Sequence, residues 1–333
     1  VKAIITGATG FLGANLLYEF AEREWEVLAC DIEDPPPGLK KELSANERDI
    51  VSWHHLDVTK RSDWNSLPDE GGDLFVHGAA VTPGDDDPNP PLTAEVNVVG
   101  TLHALEWARR RDIRRFVYVS SSAVYRGVQA EGSLREDIEL DPPTTYGKTK
   151  VVAESFVRYY ADLGPMEAFS VRLPSLYGPW ERPTGSRPNM SAVFELMRAA
   201  FTGKQLRVSG SSAARDWTYA PDVARAVADL SGVPWEELPD VLNISTGRFV
   251  NLETIVRVVM NYFPDAGIHL CDEGEHCAEL QITPTSGERP MDVCRLEKAG
   301  VSPGSDFTGS FGRYVEWLSQ SKDHEEVLGI NRC

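Results

Sequence analysis

Long apolar runs are missing from this 333-residue chain. None reaches the ~18 residues that a bilayer span requires. The chain opens on Val1-Lys2-Ala3-Ile4-Ile5, which reads as a buried strand and not as a leader, so the expected location is cytoplasmic. Cysteine is scarce and odd in number. Cys30, Cys271, Cys277, Cys294 and Cys333 are scattered, which argues against a disulfide framework and suits reduced thiols. Positive charge is short too: 33 Lys and Arg against 51 Asp and Glu give a formal net charge of −18. Such a chain repels phosphodiester backbones, which argues against nucleic acid as a partner. An anionic small molecule would need a local cluster of arginines set against that field.

Hydrophobic residues, at 41%, suffice for a sizeable core. In the first half, short apolar runs (Ala3 to Thr6, Glu26 to Asp31, Val51 to Asp57, Leu74 to His77, Phe116 to Ser120) read as strands. They alternate with helical stretches such as Phe11 to Glu22 and Leu92 to Arg111. This rhythm predicts an α/β fold of Rossmann type, a doubly wound parallel sheet that binds ligands at the carboxyl ends of its strands. After Arg172 the rhythm breaks, and Leu173 to Met190 reads as irregular loop. Helical patterns follow at Ser191 to Thr202, Ala220 to Leu230 and Leu252 to Tyr262. The expected organisation is a dinucleotide-binding domain over residues 1–172, with segments near 205–250 returning to it. Residues 173–204 and 251–330 then form a smaller, mixed α/β substrate-binding domain.

Gly7-Ala8-Thr9-Gly10-Phe11-Leu12-Gly13 joins the first strand to the first helix. Glycines there permit a tight turn and close approach of backbone to a pyrophosphate, which the helix N-terminus faces with free N–H groups. Asp31 ends the second strand, where a carboxylate binds ribose hydroxyls. Asp31-Ile32-Glu33-Asp34 would repel a 2′-phosphate, so NAD is expected and not NADP.

Thr6 to Gly13 resembles the TGxxGFxG loop of the extended short-chain dehydrogenases/reductases, the NAD-dependent epimerase/dehydratase family. Further segments match that family in order: Leu56-Asp57-Val58, His77-Gly78-Ala79-Ala80 (HxAA), Val96 to Thr101 (VNVxGT), Ser120 to Tyr125 (SSSxVYG) and Tyr146 to Lys150 (YxxxK). In the second half, Arg172 to Pro179 resembles RxxNxYGP, with Pro174-Ser175 where the pattern has Asn. Arg215 to Ala224 resembles RDFxYVxDVA. The resemblance implies catalysis by Ser121, Tyr146 and Lys150, with Ser122 the second choice for the catalytic hydroxyl. It implies an NAD site of Gly7, Gly10, Phe11, Leu12, Gly13, Asp31, Asp57, Val58, Ala79, Ala80, Asn97, Tyr146 and Lys150. It also implies a homodimer through helices within Leu92–Arg111 and Thr145–Asp162.

Tyr146 and Lys150, four apart on a helix, share a face. A phenol of pKa ~10 is a poor base at neutral pH, and an adjacent ammonium stabilises the phenolate. The resemblance also narrows the reaction. Sugar 4,6-dehydratases carry Asp-Glu where this chain has Ser122-Ala123. The 3,5-epimerase/reductase branch needs a cysteine, and none lies between Cys30 and Cys271. Two readings stay open: a nucleotide-sugar 4-epimerase, or a dehydrogenase of a free sugar, lactone or sugar acid. Arg182, Arg187, Arg215 and Arg289, with Ser122 and Ser175, are the candidate substrate ligands, since a guanidinium fork suits phosphate. Alternatively Arg215 pairs with Asp216, and the acidic loop Gly84 to Pro88 repels a diphosphate, binds polyol hydroxyls or is a solvated tip. His269, Cys271, His276 and Cys277 fit no metal-ligand spacing, and no metal is expected.

Overall fold

The computed structural model describes residues 1–69, 71–84, 86–128, 131–184, 186–187, 189–209, 213–271, 279–281, 289–302, 304, 306–320 and 327–328. The first part runs β1 (Lys2–Thr6), α1 (Phe11–Glu22), β2 (Glu26–Asp31), α2 (Pro37–Glu42), α3 (Ala45–Ile50), β3 (Val51–His55), α4 (Arg61–Ser66), β4 (Leu74–His77), α5 (Pro90–Ala94), α6 (Gly100–Arg110), β5 (Arg115–Ser121), α7 (Thr145–Leu163) and β6 (Glu167–Leu173). A π-helical turn, Glu95–Val99, joins α5 to α6, and a 3-10 turn, Ser122–Tyr125, follows β5. The second part runs β7 (Ser175–Tyr177), α8 (Ala192–Thr202), β8 (Leu206–Ser209), β9 (Ala214–Tyr219), α9 (Ala220–Leu230), β10 (Val241–Asn243), β11 (Phe249–Asn251), α10 (Leu252–Tyr262), β12 (Ile268–Leu270), β13 (Leu280–Gln281), α11 (Cys294–Lys298) and α12 (Phe307–Gln320).

The main sheet has seven strands in the order β10-β6-β5-β4-β1-β2-β3, all parallel. Alternation along each strand builds two apolar layers, as a sheet covered on both faces requires. Ala3, Ile5, Val76 and Val117 pack with Leu16, Phe20, Val223 and Val227 of α1 and α9. Ile4, Phe75, Phe116 and Tyr118 pack with Trp64, Leu105, Ala153 and Val157 of α4, α6 and α7. The order reverses between β1 and β4, and the crevice at that switch point is where ligands bind. A separate core of Phe194, Met197, Trp217, Ile255, Val259, Phe311 and Tyr314 holds the second part together. There β11-β9-β7 and β12-β8-β13 form two small sheets. Of the segment near 205–250, α9 packs on α1 and β10 closes the main sheet, whereas β8 and β9 lie in the small sheets.

Candidate active site

The cofactor loop is built from what its glycines leave out. Gly7 has φ +73°, and a Cβ there would stand 2.8 Å from the Ala79 backbone nitrogen. A Cβ on Gly13 would stand 1.9 Å from the Gly7 carbonyl oxygen. The turn therefore presses against the segment after β4, across the switch point, and α1 rises directly off it. Gly10 caps α1 without a side chain, so the first N–H groups of the helix face the crevice. Asp31 secures the turn. Its Oδ2 accepts Thr9 N–H at 2.9 Å and its Oδ1 accepts Glu33 N–H at 3.1 Å.

A cleft of about 510 Å³ extends from this loop and is lined by Gly7, Gly10, Phe11, Leu12, Gly13, Ala80, Ser121, Tyr146 and Lys150. Ala79 sits beside Gly7. Asp57 and Val58, expected at the cofactor, are not among the residues that line the cleft. The Asp57 Oδ1 accepts from Thr59 N–H (3.0 Å) and Thr59 Oγ1–H (2.7 Å), and Lys60 is 3.1 Å from its other oxygen. Burial pushes this carboxyl up, but Thr59 and Lys60 prevail and hold it below its ordinary value. Val58 packs on Gly100, where a Cβ would stand 2.7 Å from its Cγ2. The bare cradle, the helix N-terminus and the carboxylate at the end of β2 fit NAD.

Asn97 stands behind this cleft. Held in the π turn and 1% exposed, it accepts Val81 N–H at 2.9 Å and donates to Val81 O at 3.0 Å and Thr149 Oγ1 at 3.2 Å. It ties the segment after β4 to α7, supporting the site from the rear. His77, fully buried between Thr6 Oγ1 (2.7 Å) and Thr101 Oγ1 (3.1 Å), is neutral: burial, then the charge of Lys150, pushes it down to about 3.

Thr144 caps α7 by accepting Gly147 N–H, and the first turns of that helix deliver Tyr146 and Lys150 to the floor of the cleft. The Lys150 Nζ donates to Val119 O at 2.8 Å and lies 5.6 Å from the centre of the Tyr146 ring. Burial pushes Lys150 down to about 7, against the pull of Glu154. Burial likewise pushes Tyr146 up to about 12; the Ser121 hydroxyl hydrogen bond and the charge of Arg187 pull it back. The expected lowering of Tyr146 by Lys150 thus does not govern the protein alone; Ser121 and Arg187 are the groups that oppose burial. Behind them Glu154 accepts from Ser120 Oγ (2.5 Å) and from Arg172 through Nε (3.0 Å) and Nη2 (2.7 Å). Arg172 Nη1 donates to Tyr125 OH at 2.8 Å, and that hydroxyl donates to Asn243 Oδ1 at 2.8 Å.

Arg182 and Arg187, expected at the substrate, line this cleft together with Ser175 and Arg215. Arg182 Nη2 donates to Thr9 O at 2.7 Å. Arg187 lies over the Phe11 ring at 4.9 Å and donates to Glu181 at 2.7 Å. Glu181, with no exposed surface, also accepts Ser191 N–H and Ser191 Oγ–H, each at 2.7 Å. The loop after β7 is therefore clamped over the glycine turn.

A second cavity, about 270 Å³, adjoins the cleft and contains Ser121, Ser122, Ser175, Arg215 and Arg289 together with Arg126 and Phe249. Ser121, Pro174, Ser175 and Arg215 line both spaces. Asp216, weighed above as the partner of Arg215, turns its carboxylate to the Ser245 hydroxyl, to Thr218 and Thr246 Oγ1 (3.3 Å each) and to Met291 N–H (3.4 Å). Asp86 and Asp87 line a different cavity with Ser186 and Asn189; Asp85 lies outside the described residues. His269 bonds Gln205 Oε1 at 2.8 Å and Cys271 accepts from Arg207, while His276 and Cys277 also lie outside the described residues. Sequence reasoning passed over Arg126, Glu181 and Glu154. The first had a visible signal, because Arg126 stands where the SSSxVYG pattern ends in glycine.

A family model described as the NAD dependent epimerase/dehydratase family matches residues 3–245. A putative UDP-glucose 4-epimerase of Methanocaldococcus jannaschii is 22% identical over 96% of this chain and 98% of its own length. A UDP-glucose 4-epimerase of Mycolicibacterium smegmatis is 28% identical over 70% of this chain and 74% of its own. Among solved structures, a UDP-glucuronic acid 4-epimerase variant from Bacillus cereus, in complex with UDP-4-deoxy-4-fluoro-glucuronic acid and NAD, superposes with a TM-score of 0.76 at 21% identity, covering 96% of this chain and 99% of that one.

Proposed function

Because the chain belongs to the NAD dependent epimerase/dehydratase family, we propose that it is an NAD-dependent nucleotide-sugar 4-epimerase. The observation that carries this reading is the shared wall. Tyr146, Lys150 and Ser121 stand in the cofactor cleft, and Ser121 opens directly into a cavity that also holds Arg215 and Arg289. The relatives' names support the substrate class.

NAD, held by Gly7, Gly10, Gly13 and Lys150, would supply a reversible hydride acceptor for a sugar carbinol. The chain does the rest. Arg215 and Arg289 grip the diphosphate with charge-assisted forks, so the sugar can turn over while its handle stays fixed. Ser121 holds the reacting oxygen against Tyr146, which takes the hydroxyl proton and gives it back. Lys150 anchors the nicotinamide ribose and, when protonated, stabilises the phenolate. Ser122 and Ser175 offer hydroxyls to the sugar.

A homodimer is proposed with this reading, supported by exposed Leu92, Val99, Val152 and Tyr159 on α5, the π turn and α7. A cytoplasmic setting is supported by the free thiols of Cys30, Cys271 and Cys294.

The test is to denature purified protein and assay the supernatant for NAD, alongside thermal shifts with UDP. An epimerase is expected to release NAD stoichiometrically and to be stabilised by UDP. No released NAD, with stabilisation by free sugar acids or lactones and not by UDP, would promote the dehydrogenase reading.

A further inference from the structure

Two strands and one helix meet at a single carboxylate behind the active site. Glu154 is 8% exposed and lines neither cavity. Tyr146, Lys150 and Glu154 stand at i, i+4 and i+8 on α7, so they share one face. The Glu154 Oε1 accepts Ser120 Oγ–H and Arg172 Nε–H, and its Oε2 accepts Arg172 Nη2–H. Ser120 lies on β5 between Ser121 and Val119, whose carbonyl accepts from Lys150 Nζ. Arg172, buried on β6, is itself held by Tyr125 OH and Glu136 O. The carboxylate therefore pins the end of β5 to the face of α7 that carries the reacting pair.

Glu154 also supplies charge. Lys150 is buried, and among the described residues Glu154 is the anion that favours its protonated form against that burial. The other ionisable groups around the amine add no negative charge. The Tyr118 ring on β5 lies 4.8 Å from Nζ and the Tyr146 ring 5.6 Å, and burial pushes both phenols up. His77 on β4 is neutral. Arg172 on β6 is paired with Glu154, and Arg187, after β7, acts on Tyr146.

We propose that Glu154 is a positioning residue for the reaction: clamped by Ser120 and Arg172, it holds Lys150 as an ammonium at the end of β5, beside Tyr146. The inference rests on the epimerase reading above and adds to it the group that keeps the lysine charged. An uncharged amine can still donate to Val119 O, but it no longer stabilises the phenolate. Loss of Glu154 therefore costs turnover most at alkaline pH, where the proton is hardest to keep.

The experiment follows 4-epimerisation of UDP-glucose or UDP-glucuronate, whichever wild type turns over, between pH 6 and 9.5. It compares wild type with Glu154→Gln, Glu154→Asp and Glu154→Gln/Arg172→Gln. The double variant is included because Glu154→Gln leaves Arg172 a lone buried charge, which costs stability. In both Gln variants the alkaline limb of kcat should begin at lower pH, with kcat at pH 8.5 down by roughly tenfold or more and at pH 6 by less. KM should stay within roughly twofold, because Glu154 lines neither cavity. Glu154→Asp keeps the charge on a shorter arm, and should lower kcat while leaving the limb in place. A limb unmoved in the Gln variants overturns the proposal, as does one that moves equally in Glu154→Asp.

A second measurement needs no substrate. In NAD-stripped protein, the change in unfolding free energy caused by Lys150→Met should begin to grow at lower pH in the double-Gln background than in wild type, because the fold sheds the lysine proton earlier. The same starting pH in both overturns the proposal. Wild type that turns over neither sugar fails the epimerase reading instead, and the unfolding measurement then decides the role of Glu154 alone.

Discussion

Tyr146 and Lys150 each carry their difficulty in one atom. Buried, the phenol resists ionisation and the amine resists protonation. Tyr146→Phe is expected to cut turnover by at least about a hundredfold while leaving NAD content unaltered, because only the proton-carrying hydroxyl is lost. Full activity would remove Tyr146 from the mechanism. For Lys150 the expectation concerns stability. Its folded pKa, about 7, lies below its unfolded value of 10.5. Between these the unfolded chain holds a proton that the fold has shed, so stability rises with pH above 7. In NAD-stripped protein the unfolding free energy of wild type, minus that of Lys150→Met, should climb from pH 7 to 9.5 by up to ~1.4 kcal/mol per pH unit. A difference flat across that range would mean that the buried amine keeps its proton.

At the scale of elements, what could be read from the chain was what repeats locally. The glycine turn, the strand ending at Asp31 and the i, i+4 pair on α7 lie within a few residues of their own signals. The helices at Phe11–Glu22, Ala220–Leu230 and Leu252–Tyr262 run as their apolar period predicts. The predicted helix over 92–111 is helical up to Arg110, but a π turn at Glu95–Val99 lies inside it, and no propensity marks the point where Asn97 must swing toward Val81 and Thr149. The buried chain from Ser120 through Glu154 and Arg172 to Asn243 joins residues more than a hundred positions apart, and pairing at that distance leaves no trace in spacing.

Glu181 is similar: it sits in a stretch that reads only as loop, yet it organises that loop. Glu181→Ala would strand Arg187 and the start of α8. Arg187 keeps some solvent contact, so the loss should fall at the low end for a broken buried pair, about 3 kcal/mol. NAD affinity should fall with it. Urea unfolding with an unchanged midpoint would show that the clamp is not held by this carboxylate.

For the whole molecule, the acidic surface and the arginine-lined cavity pull in opposite directions. Mutual repulsion between chains of this charge must be overcome wherever two copies associate, and among the described residues the exposed side chains of α5 and α7 offer apolar surface to do so. Tyr159, 57% exposed, is the largest of them. Tyr159→Glu is expected to shift sedimentation from dimer to monomer, since it puts a charge in place of an exposed aromatic ring on α7. A monomeric wild type would remove the dimer altogether.

On the epimerase reading, the wall shared by the two cavities implies an order of departure. Ser121, Ser175 and Arg215 face both spaces, so an occupied sugar cavity plugs the nicotinamide end of the cleft, while Arg182 latches the pyrophosphate end to Thr9. The dinucleotide is thus first in and last out. On that reading one retained cofactor serves a long queue of substrates.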